Sequence, residues 1–256
     1  MSEVREILGY PMLAATMGEV VDLCDRAIVD GQPIQIGVMN AAKVVNASRN
    51  ANLRDAILSC DIILADGQSV VWASRLLGQP LPERVAGIDL FIHLLELADA
   101  QRRSVFLLGA TPEVIEQVVR VVETRYPGAR LVGHRDGYFT DEEAVAQEIA
   151  ASHPDMLFLG MTSPKKEMFL ERYETVMNVP VTHGVGGSFD ILAGVTKRAP
   201  EAWQRAGMEW AYRLVQEPGR MWKRYLRTNV LFSVMIVRAL VSQRLPVGRA
   251  KTSEVA

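Results

Sequence analysis

Short apolar runs alternate with longer stretches of helical periodicity from residue 34 to residue 181, and this alternation constrains the fold more than any other feature of the chain. The apolar runs lie at 34–38, 62–64, 105–108, 130–132, 156–159 and 179–181. Several of them, such as Val105-Phe106-Leu107-Leu108 and Met156-Leu157-Phe158-Leu159, have no polar residue to turn toward water. A strand with one wet face alternates apolar and polar residues, whereas a strand covered on both faces does not. Helical patterns fill the intervals at 41–59, 68–77, 89–100, 112–126, 141–152 and 164–175. Strand–helix alternation at this spacing predicts an α/β fold: a Rossmann-like, mostly parallel sheet with helices on both faces.

Polar residues and glycines gather just after the apolar runs: Asn40, Asp66-Gly67-Gln68, Gly109-Ala110-Thr111 and Gly160-Met161-Thr162. Open parallel sheets bind ligands at the carboxyl ends of their strands, so a site is expected to be assembled from these turns.

From Pro200 the pattern changes. Strands stop, and Trp203, Trp210, Tyr212, Trp222 and Tyr225 appear among Arg and Lys. The expected division is an α/β domain at 1–199, a basic, aromatic helical appendage at 200–245 and a flexible tail at 246–256. Charge divides along the same line. Residues 201–256 hold ten Lys/Arg against four Asp/Glu, a local balance of +6 in a chain whose formal net charge is −2. Nucleic acid, anionic lipid and a phosphorylated substrate are all partners that such a segment attracts. A helix is predicted over 219–244, but its central apolar run at 230–237 is far shorter than the roughly 20 residues a bilayer span needs. The N-terminal segment carries early acidic residues and no apolar signal core, which predicts a cytoplasmic chain. Cys24 and Cys60 form no CxxC pair and fit buried thiols in a reducing compartment.

Three segments carry candidate chemistry. Asp66 ends the apolar run Ile62-Ile63-Leu64-Ala65 and precedes a glycine, a place where a carboxylate can be desolvated enough to act as a base. Its alternative role is to cap the helix that begins at Gln68. Arg84 stands in a glycine-containing loop before a helix, where its planar fork suits phosphate, the alternative being a surface pair with Glu83. Asp89 suits either a helix cap or a ligand contact. Gly184-Val185-Gly186-Gly187-Ser188-Phe189-Asp190 permits close approach of a diphosphate to the backbone, yet it is neither the dinucleotide fingerprint nor a P-loop. His93, His134, His153 and His183 show no metal-ligand spacing and are read as structural.

Taken in order, these segments resemble the WecG/TagA/CpsF glycosyltransferases, family 26 of the glycosyltransferases. The resemblance rests on Val38-Met39-Asn40-Ala41-Ala42-Lys43, Leu64-Ala65-Asp66-Gly67, Arg84-Val85-Ala86-Gly87-Ile88-Asp89 and Val105-Phe106-Leu107-Leu108-Gly109. It continues through Gly137-Tyr138-Phe139, Gly160-Met161-Thr162-Ser163-Pro164-Lys165-Lys166-Glu167, the glycine segment at 184–190, Arg198-Ala199-Pro200, Glu209-Trp210, Arg213-Leu214 and Glu217-Pro218.

The resemblance implies transfer of a sugar, often N-acetylmannosamine, from UDP to a polyprenyl-diphosphate-linked sugar, in teichoic acid or surface polysaccharide assembly. It implies Asp66 as the base, with Asn40 and Arg84 beside it in the catalytic set. Substrate contacts are expected from Gln68, Asp89, Gly109, Lys166, Gly186 and Gly187, and from Arg213, Arg220 and Arg224 of the appendage. The expected partners are a UDP-sugar donor, the lipid-linked acceptor and an anionic membrane surface at the inner face of the cell membrane. Nucleic acid drops out, and a homo-oligomer stays open. No metal or other cofactor is expected, because no DxD motif is present to hold one against a diphosphate.

The chain departs from the family's pattern at two places. Val38 stands where many members have Thr, and Lys166 where many have Gln. The second exchange puts a cation among groups that choose the sugar, which makes a hexose other than N-acetylmannosamine, or a uronic acid, a candidate donor. The alternative to an enzyme is a non-catalytic nucleotide-binding module whose basic tail grips an anionic partner. A sugar-modifying dehydrogenase is disfavoured by the missing dinucleotide fingerprint.

Overall fold

The computed structural model describes residues 3–205, 207–216 and 218–244 of the chain. The tail at 246–256 lies outside the described residues.

The chain opens with a hairpin of β1 (Glu3–Ile7) and β2 (Tyr10–Ala14). Its strands are antiparallel, with Ile7 opposite Tyr10. Leu8 and Gly9 make the turn with φ of 52° and 84°, the left-handed pair that matches the twist of the flanking strands. Helix α1 (Met17–Asp30) follows. Thr16 and Glu19 cap its start reciprocally, each side chain accepting from the other's backbone N–H, and Gly31 ends it in the left-handed region. Neither element was expected from the apolar runs.

The body then alternates as predicted. It runs through β3 (Ile34–Met39), α2 (Ala41–Ala47), α3 (Ala51–Leu58), β4 (Ile62–Ala65), α4 (Gln68–Leu76), α5 (Gly87–Gln101) and β5 (Ser104–Gly109). It continues with α6 (Pro112–Arg125), β6 (Arg130–Arg135), α7 (Glu142–Ser152), β7 (Met156–Gly160), α8 (Lys165–Met177), β8 (Val181–His183) and the short α9 (Ser188–Leu192). Element ends shift by up to three residues from expectation, and two of the differences have local reasons. The helix expected over 41–59 is two helices, because Asn50 adopts an extended conformation and its side chain accepts from the Leu53 amide, starting a new N-terminus. The last strand begins at Val181 because Pro180 has no N–H to offer a ladder; its carbonyl still accepts from Ile34.

The central sheet has six strands in the order β4-β3-β8-β7-β5-β6. All of its pairings are parallel. Period-two alternation sends Val105 and Leu107 to one face and Phe106 and Leu108 to the other, and all four are buried. The first face packs on α1, α5, α6 and α9. The second packs on α2, α3, α4 and the hairpin at one end and on α7 and α8 at the other.

The appendage comprises α10 (Glu201–Arg205), α11 (Glu209–Gln216) and α12 (Pro218–Arg244). One face of α12 belongs to the core. Phe232 is 4% exposed and joins Val44, Val45, Ile7 and Met12 in one apolar cluster. Truncating a phenylalanine so placed costs about 3–5 kcal/mol. The other face carries Leu226, Val230, Val234, Val237 and Val241, each 40–59% exposed. Among the described residues no helix is long and apolar enough to cross a membrane.

Candidate active site

The site forms where β3 and β4 end side by side. Asn40 leaves β3 and caps α2, its Oδ1 accepting from the Lys43 amide at 3.0 Å. Asp66 leaves β4, its own amide donating to the Met39 carbonyl at 2.9 Å. The two side chains meet: Asn40 Nδ2 donates to Asp66 Oδ2 at 3.3 Å. Space behind Asp66 is tight, since a Cβ on Gly67 would stand 3.1 Å from Asn40 Cβ.

Asp66 does not cap α4, which settles the alternative raised from sequence. The cap residue is Gly67, and it makes no side-chain cap bond. Instead Asp66 Oδ1 accepts from the Gly87 amide at 2.8 Å, the first residue of α5. The positive end of that helix therefore faces the carboxylate. Asp66 stays partly open to solvent.

Beside it lies a quartet of charges. Arg84 Nη1 meets Glu209 Oε2 at 2.8 Å, and Arg84 Nη2 lies 3.9 Å from Asp89 Oδ2. Arg198 approaches the same two carboxylates, Asp89 at 2.6 Å and Glu209 at 3.3 Å. The pairing of Arg84 with Glu83 suggested by sequence does not form; Glu83 accepts from the Met17 amide. Asp89 likewise pairs with arginines rather than capping α5. Glu209 is the first residue of α11, so the quartet fastens the appendage to the sheet domain. A second contact does the same, because Gly207 packs so closely on Gln68 that a Cβ there would lie 2.5 Å from Gln68 Cγ. The side chains of Arg213, Arg220 and Arg224 lie outside the described part of the structure.

Under the neighbouring turn sits Lys166. Its side chain is 9% exposed. Its Nζ donates to the Gly184 carbonyl at 3.1 Å. Burial, then the nearby Lys43 charge, push its pKa down to about 8. Glu167, also buried, is held in place by Lys43 at 3.0 Å. Burial raises the Glu167 pKa, and the two lysines outweigh it, so the net shift is downward.

The glycines serve close packing. Gly109 has φ of 125°, and a Cβ there would lie 2.6 Å from the Gly160 carbonyl carbon, so it allows the turns after β5 and β7 to abut. In the turn after β8, the Val185 and Gly186 amides both donate to Leu159 and the Ser188 amide to Val185. That leaves less free amide for a diphosphate than the sequence pattern suggested. Gly186, at φ of 53°, and Gly187 set the bend into α9.

The WecG/TagA/CpsF family model of glycosyl transferases matches residues 5–246. The chain belongs to this family. A relative from Bacillus spizizenii is 42% identical over 180 residues, 70% of each chain. One from Bacillus subtilis is 35% identical over 88% of each chain, and one from Staphylococcus aureus is 33% identical over 91% of this chain and 92% of its own. All three are named N-acetylglucosaminyldiphosphoundecaprenol N-acetyl-beta-D-mannosaminyltransferase.

For a glycosyltransferase, the strand-end geometry supplies a carboxylate oriented by two donors and open to solvent on its remaining side. The cations Arg84, Arg198, Lys43 and Lys166 stand around the same strand ends. Both cysteines are poor nucleophiles here, since burial raises Cys24 to about 12 and Cys60 to about 11. Sequence reasoning missed three members of the neighbourhood. Arg198 and Glu209 were seen only as pieces of motifs. His183, grouped with the structural histidines, is fully buried and donates from Nε2 to the Gly87 carbonyl at 2.9 Å. Its pKa is pushed down to about 4, chiefly by burial.

Proposed function

We propose that this glycosyltransferase moves a hexosyl group, N-acetylmannosaminyl in the first instance, from a UDP-sugar to a polyprenyl-diphosphate-linked N-acetylglucosamine. The observation that carries the proposal is Asp66 at the end of β4, gripped by Asn40 and the Gly87 amide in a chain related to enzymes named for that transfer. In a single inverting displacement, Asp66 takes the proton from the acceptor hydroxyl as that oxygen attacks the anomeric carbon. The bond to the UDP oxygen breaks on the opposite side. Charge then builds on the leaving diphosphate, and the cations of the site stabilise it. In this reading Asn40 and Gln68 contact sugar hydroxyls, and Lys166 influences which sugar is accepted.

The acceptor's lipid lies in a membrane, and α12 offers a face suited to meet its surface. Trp222, Leu226, Val230, Val234, Val237 and Val241 follow each other at helical spacings of three or four and are all exposed. Arg227 and Arg238, both exposed, stand beside this stripe. A helix with one apolar stripe and flanking cations lies in the plane of an anionic interface rather than crossing it. The proposed attachment is peripheral, at the inner face of the cell membrane.

The deciding experiment screens UDP-sugars against a short-chain polyprenyl-diphosphate-N-acetylglucosamine, with product read by mass spectrometry. A disaccharide product and stoichiometric UDP release support the proposal. Tight UDP-sugar binding without product would favour a non-catalytic nucleotide-binding module.

A further inference from the structure

His183 is the last residue of β8, and its neighbours in register are Ile36 of β3 and Phe158 of β7. It is 0% exposed. Period-two alternation directs it, with Val181, to the sheet face that carries α5. There its Nε2 lies 2.9 Å from the carbonyl oxygen of Gly87. A carbonyl only accepts, so Nε2 carries the hydrogen and the neutral ring is fixed in one tautomer. The other ring nitrogen, Nδ1, is buried with no hydrogen-bond partner. A ring that merely filled the core would be better replaced by an apolar residue, since an unpaired buried nitrogen is unfavourable. The bond to Gly87 is what the imidazole adds.

Gly87 is held from both sides. Its carbonyl accepts from His183, and its amide donates to Asp66 Oδ1 at 2.8 Å. Asp66 and His183 also close on its α-carbon. A Cβ there would stand 3.7 Å from Asp66 Oδ1 and 3.7 Å from both Cε1 and Nε2 of His183. We propose that His183 is a positioning residue for the base: it fastens the first turn of α5 to the sheet, so that the Gly87 amide holds the Asp66 carboxylate in its reactive orientation. His183 takes no proton from substrate, because Nε2–H is committed to the carbonyl and Nδ1 is shut away from solvent. The proposal rests on Asp66 being the base.

The test compares His183→Leu, His183→Gln, Asp66→Asn and the double variant His183→Leu/Asp66→Asn. Turnover is measured with UDP-N-acetylmannosamine and a short-chain polyprenyl-diphosphate-N-acetylglucosamine, and melting temperatures are recorded for each. Leucine has similar bulk and no donor, whereas the glutamine amide can donate from nearly the position of Nε2. Misplacing a catalytic group by about an ångström can lower rates about 100-fold. The expected result is a kcat loss of about 10- to 100-fold for His183→Leu, with the donor KM within about twofold, and recovery in His183→Gln to within about threefold of wild type. The double variant should be no slower than Asp66→Asn alone, because His183 acts only through that carboxylate. Unchanged kcat in His183→Leu, equal loss in the folded Gln and Leu variants, or multiplying losses in the double variant each overturn the proposal. If leucine prevents folding, His183→Met is read the same way. Wild-type turnover by Asp66→Asn is a separate outcome that removes the base assignment itself, and with it this inference.

Discussion

Arg84 and Glu209 lie 125 positions apart in sequence and 2.8 Å apart in the fold. Their pairing joins the loop that leads into α5 to the first residue of α11, and Arg198 and Asp89 close the group into a neutral quartet. Glu209→Ala leaves the two arginines facing each other with one carboxylate between them. Its expected effect is a loss of about 1–3 kcal/mol, read as a melting temperature lower by several degrees. Glu209→Lys should be worse than Glu209→Ala, since it adds a third cation. Equal melting temperatures for wild type and both variants would show that the quartet contributes nothing to docking the appendage.

Asp66→Asn should remove transfer while leaving the fold intact. The amide is nearly isosteric, and its oxygen can still accept from the Gly87 amide at the start of α5. It cannot take a proton, and loss of a general base costs roughly 10²–10⁴-fold in rate. Retention of more than about a tenth of wild-type turnover would take the base assignment away from Asp66.

Turnover is expected to persist in EDTA. The expectation comes from the sequence, which has no DxD motif, and from the position of the nearest second aspartate. Asp61 lies at the opposite end of β4 from Asp66, where it accepts from the Gln35 amide at 2.7 Å. Abolished activity that only added Mn²⁺ or Mg²⁺ restores would reverse this.

Lys166 gives the enzyme a pH dependence with a defined sign. Its pKa of about 8 lies below the ordinary 10.5. Between those values the unfolded chain holds a proton that the folded chain has released, so this group's contribution to stability rises with pH across that window. Below about pH 8 the unfavourable burial of the charge is fully present. The stability of Lys166→Gln relative to wild type should therefore fall by about 2–3 kcal/mol between pH 7 and pH 10.5. Denaturant titrations at the two pH values measure it; a constant difference would mean that Lys166 titrates normally. In kinetics, the same charge predicts that Lys166→Gln alters the relative rates for neutral and uronic UDP-sugars. Unchanged ratios would remove Lys166 from donor selection.

Replacing Val230 and Val237 together by serine should weaken sedimentation with anionic liposomes without unfolding the protein, because both are more than half exposed. Transfer to a water-soluble acceptor should survive. Undiminished liposome binding by the double variant would mean that the exposed face of α12 is not what meets the lipid.

The central strands were legible because burial on both faces leaves an unbroken apolar run, as at 105–108 and 156–159. The hairpin was not. Glu3, Val4, Arg5 and Glu6 form a short strand whose fixed point, the Leu8-Gly9 turn, is weak as a sequence pattern. The start of α1 was legible in principle, since Thr16 and Glu19 have capping-box spacing. Asn40 and Asp66 stood out because each follows a strand, and the structure brings their side chains together. The burial of Lys166 was not legible, since the periodicity of α8 does not say which side the Gly184 turn will cover. Arg198, Glu209 and His183 escaped for a shared reason: their partners are distant in sequence, and a single charged or titratable residue carries no periodic signal. The appendage arginines at 213, 220 and 224 rest on the resemblance alone.

The cluster that unites Ile7, Tyr10 and Met12 of the hairpin with Phe232 of α12 has a consequence for biosynthesis. A ribosome delivers the hairpin well before α12. During the interval the nascent chain presents an apolar surface whose final cover has not yet been translated, and exposed surfaces of this kind are where aggregation begins. The hairpin and α12 thus mature together, and a message truncated before codon 232 would yield a chain with every strand of its sheet encoded but that flank left sticky.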